Sequence, residues 1–153
     1  MHDTIQEQLT AQMNGRERVD PLEVKVTGPG GLRANGVKWI FHVASVQGEP
    51  GEGFRPVARI HRCVTQALRT ADDERFADDP PRSILMPIFG TGPAGGNLGE
   101  HAKYHLEQAI QYFMRKPDAA IQTVCFYAFH DVTLEALQAL APQVGLVRRD
   151  DAK

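Results

Sequence analysis

Apolar positions recur along this chain with two different periods, and the switches between them lay out the elements. Ile5 and Leu9, four apart, predict a short helix in the first fifteen residues, stopped by Gly15. Leu22-Glu23-Val24-Lys25-Val26-Thr27 alternates with the period of a half-buried strand, and Gly28-Pro29-Gly30-Gly31 then forces a turn. Val37 to Ala44 is mostly apolar and reads as a strand buried on both faces. Gly48 to Gly53 (GEPGEG) reads as a loop. From Arg55 the period lengthens. Val57, Ile60, Val64, Leu68 and Ala71 share one helical face, with arginines on the other, until Pro80 and Pro81 break the pattern.

Ser83 to Ile88 is a short apolar strand, and Pro87 sets its end because it removes a ladder donor. Leu98, Ala102, Leu106, Ala109, Ile110 and Phe113 mark a long amphipathic helix stopped by Pro117. Ile121 to Phe129 is a third strongly apolar strand. Leu134, Leu137 and Ala141 give a further helix up to Pro142, and Val144 to Val147 is expected to be a last strand. Strands alternating with helices predict an α/β fold with a largely parallel sheet covered on both faces. In such sheets ligands bind beyond the carboxyl ends of the strands. That rule gathers the glycines after Ile88, the end of Ile121–Phe129 and the loop after Ala44.

Composition narrows the class without deciding the chemistry. The 153 residues suit one domain, with its core over residues 22–147. Apolar residues make up 42% and charged residues 24%, values of ordinary globular chains, and no apolar run approaches membrane-spanning length. Residues 1–20 lack a secretory pattern, so a cytoplasmic protein is expected. A net charge of −2 speaks against a nucleic-acid partner, and the arginines 55, 59, 62 and 69 read as a solvated helix face. Cys63 and Cys125 sit in periodic apolar segments and are expected to be small buried thiols.

The chemistry concentrates in Gly90-Thr91-Gly92-Pro93-Ala94-Gly95-Gly96, between the Ser83 strand and a helix expected to begin near Asn97. Glycines let backbone N–H groups approach a phosphate and adopt the turns that aim several amides at one anion. The helix would add free amides and the positive end of its dipole. No Lys-Ser or Lys-Thr follows, so the pattern of nucleoside triphosphate hydrolases is missing. A tight strand–helix connection with no ligand is the alternative.

Gly36–Val43 (GVKWIFHV), the helix with Cys63 and Leu68, Ser83–Gly92 (SILMPIFGTG) and Ala94-Gly95-Gly96 together resemble a macro domain of the ADP-ribose-binding, Appr-1''-p processing family. The likeness runs over residues 1–142 and corresponds to that family's C-terminal two-thirds. It implies a three-layer α/β/α sandwich with a mixed, mostly parallel sheet, N-terminally truncated. It also implies ADP-ribose or a related nucleotide diphosphate as ligand, with no cofactor. Gly90, Thr91, Gly92, Pro93, Ala94, Gly95 and Gly96 match the loop that wraps the diphosphate and proximal ribose. Phe129 falls where the family often carries a ring against the adenine or a ribose, and Ser45 follows the strand that leads to the cleft.

The chain has no counterpart of the family's early Asn-rich loop, which carries the asparagine of hydrolytic members. The resemblance therefore implies a binding module. Its alternatives are a hydrolase with a catalytic group supplied from elsewhere, and a fold kept for assembly. A missing strand would leave unpaired backbone and exposed apolar surface, so a homodimer or a completing partner chain is expected. His101 and His105 share a helical face, but no third ligand has metal-site spacing, so a packed or solvent-facing pair is the reading, with His101 near enough to the loop to touch a phosphate. His42 reads as a core histidine. His130-Asp131 reads as a rim contact, or as a helix start capped by Asp131.

Overall fold

The computed structural model describes residues 2–49, 51–92, 96–147 and Arg149. Helix α1 (His2–Met13) ends where Asn14 and Gly15 turn left-handed. Strand β1 (Val24–Thr27) follows, then a 3-10 turn (Gly30–Asn35) and β2 (Ile40–Val43). A small hairpin of β3 (Val46–Glu49) and β4 (Gly53–Pro56) leads into α2 (Arg62–Ala71). Beyond the 3-10 turn Glu74–Phe76 come β5 (Ser83–Pro87), α3 (Leu98–Arg115), β6 (Thr123–Tyr127), α4 (Asp131–Leu140) and a closing 3-10 turn, Pro142–Val144. The fold is mixed α/β, and no helix among the described residues is long and apolar enough to cross a membrane.

Among the described residues the strands form three separate two-stranded ladders. β1 and β2 pair antiparallel with Val24 opposite Val43, β3 and β4 pair antiparallel, and β5 and β6 pair parallel with Pro87 opposite Tyr127. The sheet is thus mixed, with its parallel part confined to β5–β6. Side chains do the joining. Val64, Ala67, Leu68 and Ala71 of α2 form one cluster with Met86 of β5, Ala109 of α3 and Ile121. Phe41 and Val43 of β2 pack on the same cluster beside Ile84, Val124 and Phe126. Burying Leu68 completely contributes about 1.5–3 kcal/mol. At the other side, α1 shields the outer edge of β1: Gln12 Nε2 donates to the Val26 carbonyl at 2.7 Å, and Gln8 Oε1 accepts from Gly28 N–H at 2.8 Å.

Several sequence expectations change. The helix expected from Arg55 begins at Arg62, because Gly53–Pro56 is drawn into the hairpin and Arg59 adopts a left-handed φ of 58°. Val57 and Ile60 are buried all the same, ahead of the helix. Gly48–Gly53, expected as a loop, supplies strand residues at both ends of that hairpin. β2 is half-buried along its length, not buried on both faces. The strand expected at Val144–Val147 does not form. Gly145 turns left-handed and its N–H bonds the Pro142 carbonyl, while Leu146 N–H reaches the Ala141 carbonyl, so the segment caps the preceding helix.

Candidate functional site

Strand β5 delivers the glycine segment to the surface between its carboxyl end and the start of α3. Ile88 is buried and anchors it, and Thr91 Oγ1 donates to the Ile88 carbonyl at 2.8 Å. Gly90 turns left-handed at φ 83°, and its carbonyl accepts from Gly96 N–H at 3.0 Å, closing the loop at its base. Asn97 caps α3 by accepting from Glu100 N–H at 2.9 Å. The helix therefore starts where expected, one residue beyond the loop. Gly92 is exposed, with nothing among the described residues within 4 Å of where a Cβ would stand. Pro93, Ala94 and Gly95 lie outside the described residues.

Two of the glycines answer to a histidine. A Cβ on Gly90 would stand 2.9 Å from His101 Cε1 and Nδ1, and one on Gly96 would stand 2.8 Å from His101 Nδ1 and closer still to Cε1. His101 Nδ1 in turn lies 3.2 Å from the Phe89 carbonyl. The imidazole is the floor on which the loop closes, and Gly90 and Gly96 make room for it. Gly92 has no such neighbour among the described residues and is exposed to solvent.

His105 lies one turn further along α3, fully buried, between Phe89 (ring centroids 5.7 Å apart) and His101 (6.3 Å). Its Nδ1 bonds the His101 carbonyl, while Nε2 has no partner among the described residues. Burial lowers its pKa to about 4, a shift opposed by the bond to His101 and reinforced by His101 and His61. An unfolded imidazole takes up a proton below pH 6.5 while the native one stays neutral to about 4, so stability is full above pH 6.5 and is lost as pH falls. The loss should approach about 1.4 kcal/mol per pH unit in that window. His42 and His61, also lowered by burial, pull the same way. Urea titrations at several pH values should therefore show a shallower acid slope for His105→Phe than for the wild type, and identical slopes would remove His105 from the account.

The second predicted contributor, Phe129, stands two residues beyond the end of β6, and Gly90 three beyond the end of β5. Since Pro87 and Tyr127 are register partners, both reach the same end of the parallel pair. The Phe129 ring is 73% exposed, with the rings of Tyr127 at 6.1 Å and His130 at 4.7 Å beside it. Ser45 follows β2, half-buried, and its carbonyl accepts from Val57 N–H at 3.0 Å, which fixes the entry to the hairpin. Asp131 is the first residue of α4, not its cap: His130 occupies the cap position and makes no side-chain cap bond. His42 is satisfied by Thr27 Oγ1 at 2.9 Å, as befits a core histidine.

Cys63 is fully buried, and burial pushes its thiol up to about 12, far from a nucleophile's range. Cys125 is exposed, contrary to expectation: in β6 it alternates with Val124 and Phe126, which take the core side. Among the described residues no cluster of three His, Cys, Asp or Glu could hold a metal ion. Two grooves among the described residues lie away from the glycine loop. One lies between α1 and the β1–β2 pair, the other between α2 and α3. That second groove is what sequence reasoning missed, because its cations come from two helices thirty residues and more apart.

The comparisons bear on the fold. A mutant macrodomain of Oceanobacillus iheyensis with ADPR superposes with a TM-score of 0.65 at 19% identity, over 91% of this chain and 68% of that one. The chain has a macrodomain fold. The Oceanobacillus iheyensis macrodomain with ADP gives a TM-score of 0.58 at 21% identity, covering 90% of this chain and 68% of that one. No protein-family model and no curated protein matches this chain. Within the macrodomain fold, β5, its glycine loop and α3 form one continuous strand–loop–helix unit, with β6 alongside.

Proposed function

We propose that this macrodomain-like chain is a binding module for ADP-ribose or a related nucleotide diphosphate. The observation that carries the reading is the juxtaposition of the open Gly92 loop, at the start of α3, with the exposed Phe129 ring at the same end of the β5–β6 pair. Amides of the loop and of the first turn of α3 would hold the diphosphate. A base or ribose stacked on Phe129 would add about 1–3 kcal/mol. Gly90, Thr91, Gly92, Pro93, Ala94, Gly95 and Gly96 form the proposed anion cradle, and Ser45 its far wall. Binding is preferred to hydrolysis because the histidines beside the loop are already committed: His101 Nδ1 to a backbone carbonyl, and His105 to the interior. Titration calorimetry with ADP-ribose tests this. At ligand about 100 times its Kd the fold should gain ~2.7 kcal/mol, and no heat or melting shift at millimolar ligand would overturn it.

A second reading, as an assembly domain completed by a second copy or a partner chain, is favoured by the outer face of β5–β6 and the adjoining helix. Leu85 is 67% exposed, and Tyr127, Val132 and Leu134 are exposed as well. The uncovered face and the unjoined ladders match a surface that a further strand or helix would cover. Light scattering coupled to size-exclusion chromatography should then report a dimer or a complex. A soluble monomer at high concentration would count against it.

A further inference from the structure

The groove between α2 and α3 has a floor and rim unlike the rest of the surface. Its volume is about 400 Å³, and its lining includes Arg62, Arg69, Arg115 and Lys116 against a single carboxylate, Asp72. That carboxylate is already saturated. It accepts from Tyr112 Oη, from Ala120 N–H at 2.6 Å and from Lys116 Nζ at 3.0 Å, and its side chain is only 8% exposed. Burial alone would raise the Asp72 pKa, but these donors outweigh it and hold the carboxyl below its ordinary range. Among the described residues Arg62, Arg69 and Arg115 form no ion pair, so three guanidinium groups face the groove's solvent in a chain whose net charge is −2.

The scaffold beneath them is rigid. Thr65 Oγ1 of α2 donates to Gln108 Oε1 of α3 at 2.9 Å, and Tyr112 meets Asp72 two turns further on, so the helices run side by side. Arg62 and Arg69 are seven residues apart on one face of α2, about 10 Å along the axis. That spacing suits a chain of several phosphates, and the guanidinium fork suits each of them. The only aromatic ring in the lining, Tyr112, is half-buried with its hydroxyl engaged, so no ring is free to stack on a base.

We propose that the α2–α3 groove is a binding site for a base-free oligophosphate chain, separate from the glycine loop. The test is calorimetric titration of the full chain with sodium tripolyphosphate and with a longer polyphosphate at low and moderate salt. Binding should weaken as salt rises. The Arg62→Gln and Arg69→Gln variants should each lose about tenfold in affinity, the worth of one charged hydrogen-bonded contact. Arg55→Gln, an exposed arginine outside the groove, should behave as wild type. No heat with either phosphate, or equal losses for Arg55→Gln and Arg69→Gln, would overturn the site. Tighter binding of oligo(dT) than of polyphosphate would overturn its ligand class.

Discussion

Gly92→Glu should abolish ADP-ribose binding while leaving the melting temperature close to that of the wild type. The two halves of that outcome have separate causes. Gly92 is exposed, has nothing among the described residues within 4 Å of its missing Cβ and is not among the left-handed glycines, so a side chain there meets neither a clash with those residues nor a strained backbone. The fold should hardly register the change. The added carboxylate, in contrast, occupies the space proposed for the diphosphate and repels it across a short distance. Two unit charges about 4 Å apart near a protein surface interact by several kcal/mol, enough for a loss of a hundredfold or more in affinity. Calorimetry and a melting curve on the same preparation decide it. Affinity within about threefold of the wild type would move the anion site away from the loop.

Gly90→Ala should instead destabilise the fold by several kcal/mol, about 2–5 in all, and the reason lies in His101. A methyl group at this position meets two penalties: the left-handed φ of 83°, which costs an L-residue about 1–2 kcal/mol, and overlap with the His101 ring, an overpacking defect of about 1–3 kcal/mol. Only the second can be relieved from a distance. In a His101→Ala background the ring is gone, and the same Gly90→Ala change should cost less by about 1 kcal/mol or more. Urea unfolding of the four proteins in that cycle measures the coupling directly. Additive losses would show that the imidazole does not dictate glycine at position 90.

The elements that were legible in the sequence are those whose apolar period is carried by side chains alone. α3 shows this best: Ala102, Leu106 and Ala109 are all buried, and Asn97 caps the helix as its position suggested. β5 and the loop base were legible for the same reason, since Met86 and Ile88 are the buried residues of an alternating strand. What misled were backbone conformations that no period encodes. Arg59 holds a left-handed turn that delays α2, and Gly145 turns an apolar tail into a helix cap. The glycine loop was half legible. Glycine spacing pointed to a phosphate, but only the folded chain reveals that Gly90 and Gly96 accommodate the ring eleven and five residues downstream, while Gly92 has no such neighbour among the described residues. The α2–α3 groove was invisible along the chain because Arg62 and Arg115 converge only through tertiary packing.

The division of the strands into three ladders sets how a disturbance can travel through the molecule. Backbone bonds tie β5 to β6 and β1 to β2, but among the described residues no ladder links the two pairs. Among the described residues a disturbance at the glycine loop therefore reaches β2 through side chains, by way of Val64 and Leu68 in one cluster and of Val57, Ile60 and Cys63 in the other. Dispersion contacts of that kind are individually weak and yield to small displacements, whereas a hydrogen-bonded ladder shears as a unit. The two strand pairs are thus coupled by close packing of side chains and not by a shared ladder.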